Sequence, residues 1–156
     1  MRVRVVAAGT RLPEWMNAGF EDYARRMPAE SKVELREIAV ARAKAGGDVA
    51  RAKRDEGEKM LAALPDGTYV VALDVLGKQL DTAALSRWWA QRLRDGRDLA
   101  FLIGGPDGLA PACLARADEK LSLSALTLPH GLARVVLAEA MYRAASLLKG
   151  HPYHRE

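Results

Sequence analysis

The sequence predicts an α/β fold, a mostly parallel sheet flanked by helices. Three observations carry that expectation. Short apolar runs alternate with stretches of helical periodicity five times along the 156 residues. The runs Val3–Ala8 (beyond Arg4 at its start), Tyr69–Leu73 and Leu99–Ile103 are apolar on both faces, as in strands buried between two helical layers. No internal repeat or low-complexity linker interrupts the alternation, so one domain over residues 1–156 is expected.

Taken in order, Val3–Ala8 reads as the first strand, and Gly9-Thr10-Arg11 turns the chain. Pro13 suits the start of a helix, in which Met16, Phe20, Tyr23, Ala24 and Met27 follow helical spacing up to Pro28. Lys32–Val40 alternates as a second strand. Residues 41–59 carry Arg42, Lys44, Arg51, Lys53, Arg54 and Lys59. The later part, where acids alternate with bases, reads as a solvated helix face. The earlier part, Arg42 to Gly47, is basic, small and glycine-rich, suited to touching a phosphate backbone. Met60–Leu64 completes the helix, Pro65-Asp66-Gly67 turns, and Tyr69–Asp74 is the third strand.

Asp81 caps a helix to Arg94, whose apolar face is Leu85, Trp88, Trp89 and Leu93; at that spacing at least one tryptophan belongs to the core. Leu99–Ile103 is the fourth strand, Pro111–Ala117 a short helix, Leu121–Leu123 a fifth strand and Leu132–Leu148 the last helix. That helix is apolar on more than one side, which calls for cover from its own sheet and from something else; a second subunit about a two-fold axis fits, as does a central position. Glu139 and Arg143 are spaced to pair on it.

Composition narrows the class. An apolar fraction of 49% and a charged fraction of 28% suit a folded globular chain rather than a disordered one or a coiled coil. A net charge of +4 leans gently toward a polyanionic partner. The single cysteine, Cys113, gives no internal disulfide and sits in a helical pattern as a small core residue. The opening apolar run is too short for a signal peptide, and no stretch is long enough to span a membrane; a cytoplasmic protein is expected.

Two stretches suggest a ligand site. Leu99–Ile103 runs into Gly104-Gly105-Pro106-Asp107-Gly108, and Leu121-Ser-Leu-Ser-Ala-Leu-Thr-Leu-Pro-His130 follows the fifth strand. Ligands of parallel sheets collect where strand C-termini enter such loops. A tight turn accounts for the glycines equally well. Neither GxGxxG nor GxxxxGK[ST] is present, so a ligand held by its phosphates is not indicated. In the tail, Tyr153 beside His154 and Arg155 suits a stacked base and its phosphate. His151 and His154 lack the partners of a metal site, and no metal is expected.

Together, Leu102-Ile-Gly-Gly-Pro-Asp-Gly-Leu109, Leu121–His130, Arg134-Val-Val-Leu-Ala-Glu-Ala-Met-Tyr-Arg143 and His151-Pro-Tyr-His-Arg155 resemble the ribosomal RNA large subunit methyltransferase H family. These are pseudouridine N3-methyltransferases of the SPOUT superfamily. The resemblance covers essentially the whole chain, with Asp107 where relatives often carry Glu. It implies a C-terminal trefoil knot, a homodimer and S-adenosylmethionine (S-adenosyl-L-methionine) as cofactor. The implied substrate is a pseudouridine in a stem-loop (helix 69) of 23S rRNA within the assembled ribosome. By position it places cofactor contacts at Leu73, Gly104, Leu123, Ser124, Ala125, Leu126, Thr127 and Leu128. Candidates for the chemistry are His154 as base or orienting donor, Tyr153 as stacking platform, and Arg134, Arg143 and Arg155 as phosphate or oxyanion partners. A non-enzymatic RNA-binding module, or a SPOUT enzyme acting on another nucleotide, is the alternative.

Overall fold

The computed structural model of the chain describes residues 1–40 and 48–155; the basic stretch Arg42 to Gly47 lies outside them. Five strands are present among these residues: β1 (Val3–Ala8), β2 (Val33–Ile38), β3 (Tyr69–Gln79), β4 (Leu99–Ile103) and β5 (Glu119–Ser122). They form one sheet in the order β2-β1-β4-β3-β5, every pairing parallel. The helices are α1 (Glu14–Arg26), α2 (Val49–Ala62), α3 (Thr82–Asp95), α4 (Pro111–Arg116) and α5 (His130–Leu148), with short 3-10 turns at 29–31 and 152–155. The expected α/β class, a parallel sheet between helices, is what the structure shows.

The period of two along each strand splits the core into two layers. Val3, Val5 and Ala7 of β1, with Val71, Leu99, Phe101 and Ile103, pack against Phe20 of α1, Trp89 of α3 and Leu137, Met141 and Ala144 of α5. The alternate residues Val6, Ala8, Val70, Ala72 and Leu102 pack against Met60 of α2 and Cys113 of α4. Cys113 is therefore a core residue, and burial pushes its thiol up. Trp89 is buried as the spacing required; Trp88 is half-buried and donates from Nε1 to Glu119 at 2.6 Å. Asp81 caps α3, accepting from the Ala84 N–H at 2.8 Å.

Helix α5 lies between α1 and α3, and no residue from His130 to Leu147 is fully exposed. Its buried arginine, Arg134, ties it to the sheet. One guanidinium nitrogen reaches Glu37 of β2 at 2.8 Å; the other donates to the carbonyls of Ala8 (3.1 Å) and Gly9 (2.8 Å) at the end of β1.

The strand boundaries differ from expectation at the sheet's β3–β5 side. β3 continues five residues past Asp74, because Lys78 and Gln79 pair with Leu121 and Ser122 after a jump in register. Leu121 is partner to both Leu73 and Lys78, so residues 74–77 bow around the end of β5. Gly77 makes this possible: a Cβ there would lie 2.6 Å from the Leu121 carbonyl carbon. β5 begins two residues earlier than its apolar run, since Glu119 and Lys120 pair with Val71 and Ala72.

Candidate cofactor cleft and C-terminal tail

Where β4 and β5 end and β3 bows away after Leu73, these segments and the first turn of α5 surround a cleft of about 740 Å³. That is room for a nucleoside-sized ligand with an extended side arm. Leu73 and Asp74 line it where β3 bows out of register, Gly104 to Pro106 after β4, Leu123 and Ser124 after β5, and His130 and Ala133 from α5.

The β4 loop is shaped by backbone. Gly105 and Gly108 bridge each other, the Gly108 N–H donating to the Gly105 carbonyl at 3.0 Å, with Gly108 at φ +78°. Gly104 is folded so closely onto this turn that a Cβ would sit 2.5 Å from the Gly108 carbonyl carbon. The loop is thus a tight turn, and the same turn lines the cleft. In the β5 loop the serines are spent on shape: Ser122 Oγ donates to the Ser124 carbonyl at 3.0 Å, and Ser124 Oγ accepts from the Leu126 N–H at 2.9 Å. Leu126 and, on the facing lip, Val75 and Leu76 stand exposed, Leu76 at 90%.

Seven of the eight positions named for a cofactor (Leu73, Gly104, Leu123, Ser124, Leu126, Thr127 and Leu128) line this one cleft; Ala125 is exposed on the same loop and is not among the lining residues. Lys53 of α2 and His130 line it as well. Neither stood out in the sequence. Lys53 sits in a run of alternating charges, and His130 closes an apolar segment with no second ligand or base near it in sequence. Burial, reinforced by the Arg134 charge, holds the His130 imidazole below its ordinary pKa, so it is neutral at physiological pH.

The tail folds back on α5 rather than projecting. Tyr153 packs its ring 4.6 Å from that of Tyr142 and edge-on to Tyr23, and its hydroxyl lies 3.2 Å from both Tyr23 Oη and Glu139 Oε1. Burial and these neighbours push its phenol far above the usual range. Arg143 pairs with Glu139 at 2.7 Å, lies 5.0 Å from the centre of the Tyr153 ring and reaches the His154 carbonyl at 3.5 Å. His154 Nδ1 is 2.6 Å from the His151 carbonyl. A carbonyl oxygen only accepts, so Nδ1 carries the hydrogen and Nε2 of the neutral ring is left as an acceptor. Arg155 is exposed at the end.

The candidates of the tail, Tyr153, His154, Arg155 and Arg143, are therefore neighbours. Arg134 is elsewhere: 1% exposed, with its terminal nitrogens on Glu37 and two main-chain carbonyls, its geometry is that of a tether between α5 and β1. Glu139, where Tyr153 is anchored, lies nine residues beyond His130 on the same helix. At 1.5 Å per residue that is about 13 Å along the axis. No group of three or more metal-ligating side chains occurs among the described residues, and no helix is long and apolar enough to cross a membrane.

Residues 1–154 match the family described as "Predicted SPOUT methyltransferase". The chain is 52% identical to the ribosomal RNA large subunit methyltransferase H of Thioalkalivibrio sulfidiphilus (strain HL-EbGR7) over 156 residues, the full length of both. It is 55% identical to the protein of that name from Alkalilimnicola ehrlichii (strain ATCC BAA-1101 / DSM 17681 / MLHE-1) over 155 residues, 99% of each chain. With that of Methylococcus capsulatus (strain ATCC 33009 / NCIMB 11132 / Bath) it shares 50% over 155 residues, 99% of this chain and 100% of the other. The sheet, the glycine loop and the full-length matches agree: the chain belongs to the SPOUT methyltransferases and, within them, to the ribosomal RNA large subunit methyltransferase H family.

Proposed function

We propose that this protein transfers the methyl group of S-adenosylmethionine to N3 of a pseudouridine in 23S rRNA, the helix 69 stem-loop of the assembled ribosome, and that it works as a homodimer. The observation that carries this reading is the cleft: segments separated by as many as 80 residues (53 to 133) converge on one cavity of about 740 Å³. Its residues fit the cofactor. Leu73 and Leu128 supply apolar walls for a purine, the loop peptides supply donors and acceptors for its edge, and Gly104 and Gly105 leave the main chain bare. Leu123, Ser124, Ala125, Leu126 and Thr127 complete the β5 loop along it. The family resemblance extends this reading to a trefoil knot in the C-terminal region, with which the tight packing of Gly77 on Leu121 is compatible.

The bound cofactor supplies an electrophilic methyl on a sulfonium, which needs no Lewis acid. The protein's task is to bring the acceptor nitrogen into line and remove the weakly acidic imide proton. His154 Nε2 is the acceptor for that proton. Arg143, oriented by Glu139, and Arg155 stabilise the anion or the adjoining phosphates, and Tyr153 holds the tail in place against Tyr23 and Tyr142. Arg134 acts by fixing α5, and with it His130, under the cleft. The second subunit supplies what one chain lacks: it covers the apolar lip of Val75, Leu76 and Leu126, and sets a tail against a cleft that its own tail stands about 13 Å from along α5.

The experiment is to incubate purified protein with S-adenosylmethionine and ribosomes lacking the modification, then map rRNA fragments by mass. One methyl on the pseudouridine-bearing helix 69 fragment is expected. A methyl on another fragment moves the substrate elsewhere, and binding of ribosomes without binding of S-adenosylmethionine makes the protein a non-enzymatic module.

A further inference from the structure

Behind the glycine loop lies an acid for which the reaction above has no use. Glu56 of α2 is only 7% exposed, and its carboxylate oxygens lie 3.8 and 4.0 Å from where a Cβ on Gly105 would project. The same helix grips the far end of the loop. A Cβ on Gly57 would meet the Ala110 Cβ at 2.6 Å, and Cys113 Sγ lies 3.6 Å from the Gly57 carbonyl. Burial, the largest influence, raises the Glu56 carboxyl above its ordinary range; the Gly105 N–H opposes that, Asp107 adds to it and Lys53 opposes it. Cys113 of α4 feels the same charge, its thiol pushed up first by burial and then by Glu56. Among the described residues, the charged and titratable groups facing Glu56 are thus Lys53 from its own helix, Asp107 from the loop and Cys113 from α4. A carboxylate buried in this way costs stability, and an apolar or amide residue would serve packing better.

We propose that Glu56 is a positioning residue of the cofactor cleft, its carboxylate set against the Gly105 N–H so that the loop 104–109 keeps the shape in which the cofactor sits. This rests on the cleft being the S-adenosylmethionine site. A hydrogen bond to an ionised acceptor is roughly twice as strong as one to a neutral acceptor. Protonation of Glu56 therefore slackens the loop, and cofactor affinity falls with pH. Stability moves the other way: a raised folded-state pKa means the folded chain binds the proton more tightly. Stability is then full below the ordinary carboxyl range and is lost as pH rises through the raised value.

The test is calorimetric titration of the intact protein with S-adenosylhomocysteine from pH 5 to 7, where neither its amino nor its carboxyl group titrates, in the wild type and in Glu56→Gln. The amide keeps an acceptor for Gly105 but no charge. Wild-type affinity should be lost progressively as the pH is lowered from 7 to 5, while the variant binds at the weaker level throughout. His130, which also lines the cleft, contributes equally to both profiles and cancels in their ratio. The variant should also melt about 2–4 °C higher at pH 7, which confirms that it is folded and that the charge is held at a cost. Parallel profiles, or a variant with full affinity at pH 7, overturn the inference alone. A wild type that binds no S-adenosylhomocysteine at any pH overturns the reading of the cleft, and this inference with it.

Discussion

At the cleft the polypeptide exposes its main chain and cuts its side chains back; at the tail the side chains make the contacts. Gly104, Gly105 and Gly108 fold the β4 loop through peptide bonds and bare Cα atoms, and even the serines of the β5 loop turn inward to hold its shape. The tail is fixed by three phenol rings, an arginine and a glutamate: Tyr153, Tyr23, Tyr142, Arg143 and Glu139. The contrast suits the two tasks proposed for these regions. A cofactor of constant shape, as proposed for the cleft, is held well by a mould made largely of main chain. Proton removal from a nucleobase needs titratable and charged groups, and these come only from side chains. The two regions should therefore fail in different ways.

Removing residues 151–156 breaks the comparison most sharply. The deletion takes away Tyr153, His154 and Arg155 but touches no residue that lines the cleft. Methyl transfer to ribosomes should fall by at least about a thousandfold, in the range seen when a proton-transfer group and its orienting partners go together. Cofactor affinity measured by calorimetry should stay within about twofold. Equal activity in the shortened chain would take the tail out of the chemistry.

The converse change is Gly104→Ala. The added methyl would sit 2.5 Å from the Gly108 carbonyl carbon and 2.7 Å from the Leu109 nitrogen, both backbone atoms that cannot rotate away. The loop must open, and cofactor affinity should drop about a hundredfold, or roughly 2.7 kcal/mol. The Tyr153–Glu139–Arg143 cluster should be intact, read by the unchanged near-ultraviolet signal of its tyrosines. A variant that binds the cofactor normally would show that the close packing of Gly104 is incidental.

Most of the architecture was open to inspection in the residues, because the cues are local. Val3–Ala8 and Leu99–Ile103 are apolar on both faces, Asp81 precedes a helical period, and Gly-Gly-Pro-Asp-Gly follows a strand. What escaped was set by partners distant in sequence. Val75 to Gln79 reads as a loop broken by Gly77, and becomes strand only through pairing with β5 across a register jump. Glu119 reads as loop and becomes the first residue of β5, its carboxylate satisfied by Tyr69 at 3.1 Å and Trp88 at 2.6 Å. In the site, the cofactor positions came from family resemblance rather than from periodicity, and Glu56 was hidden in a helix whose charges alternate as a solvated face would. Tyr153 looked like a free platform for a base, yet its ring is already packed against Tyr142. Aromatic residues in a polar tail carry no sequence mark of which face is taken.

Arg134 shows how far residue type alone misleads, since an arginine on a helix near a nucleotide site invites a phosphate. Its terminal nitrogens are instead committed to Glu37, Ala8 and Gly9, and it is 1% exposed. Arg134→Lys separates the two roles. Lysine keeps the positive charge but offers a single ammonium where the guanidinium forks to three acceptors. At least one carbonyl or the Glu37 carboxylate is then left short of a donor, at a cost of about 1–3 kcal/mol in urea unfolding. A phosphate ligand would tolerate the exchange with only a change in the affinity for ribosomes, because lysine also binds phosphate as a point charge. For a tether, the loss should appear in stability while the KM for ribosomes stays within about twofold, and any fall in kcat should be recovered by lowering the assay temperature. An unchanged unfolding midpoint with a raised KM would return Arg134 to the substrate. The expected result confines the residues that meet RNA to the tail and leaves the buried end of α5 as scaffold, which is the division the two regions already suggest.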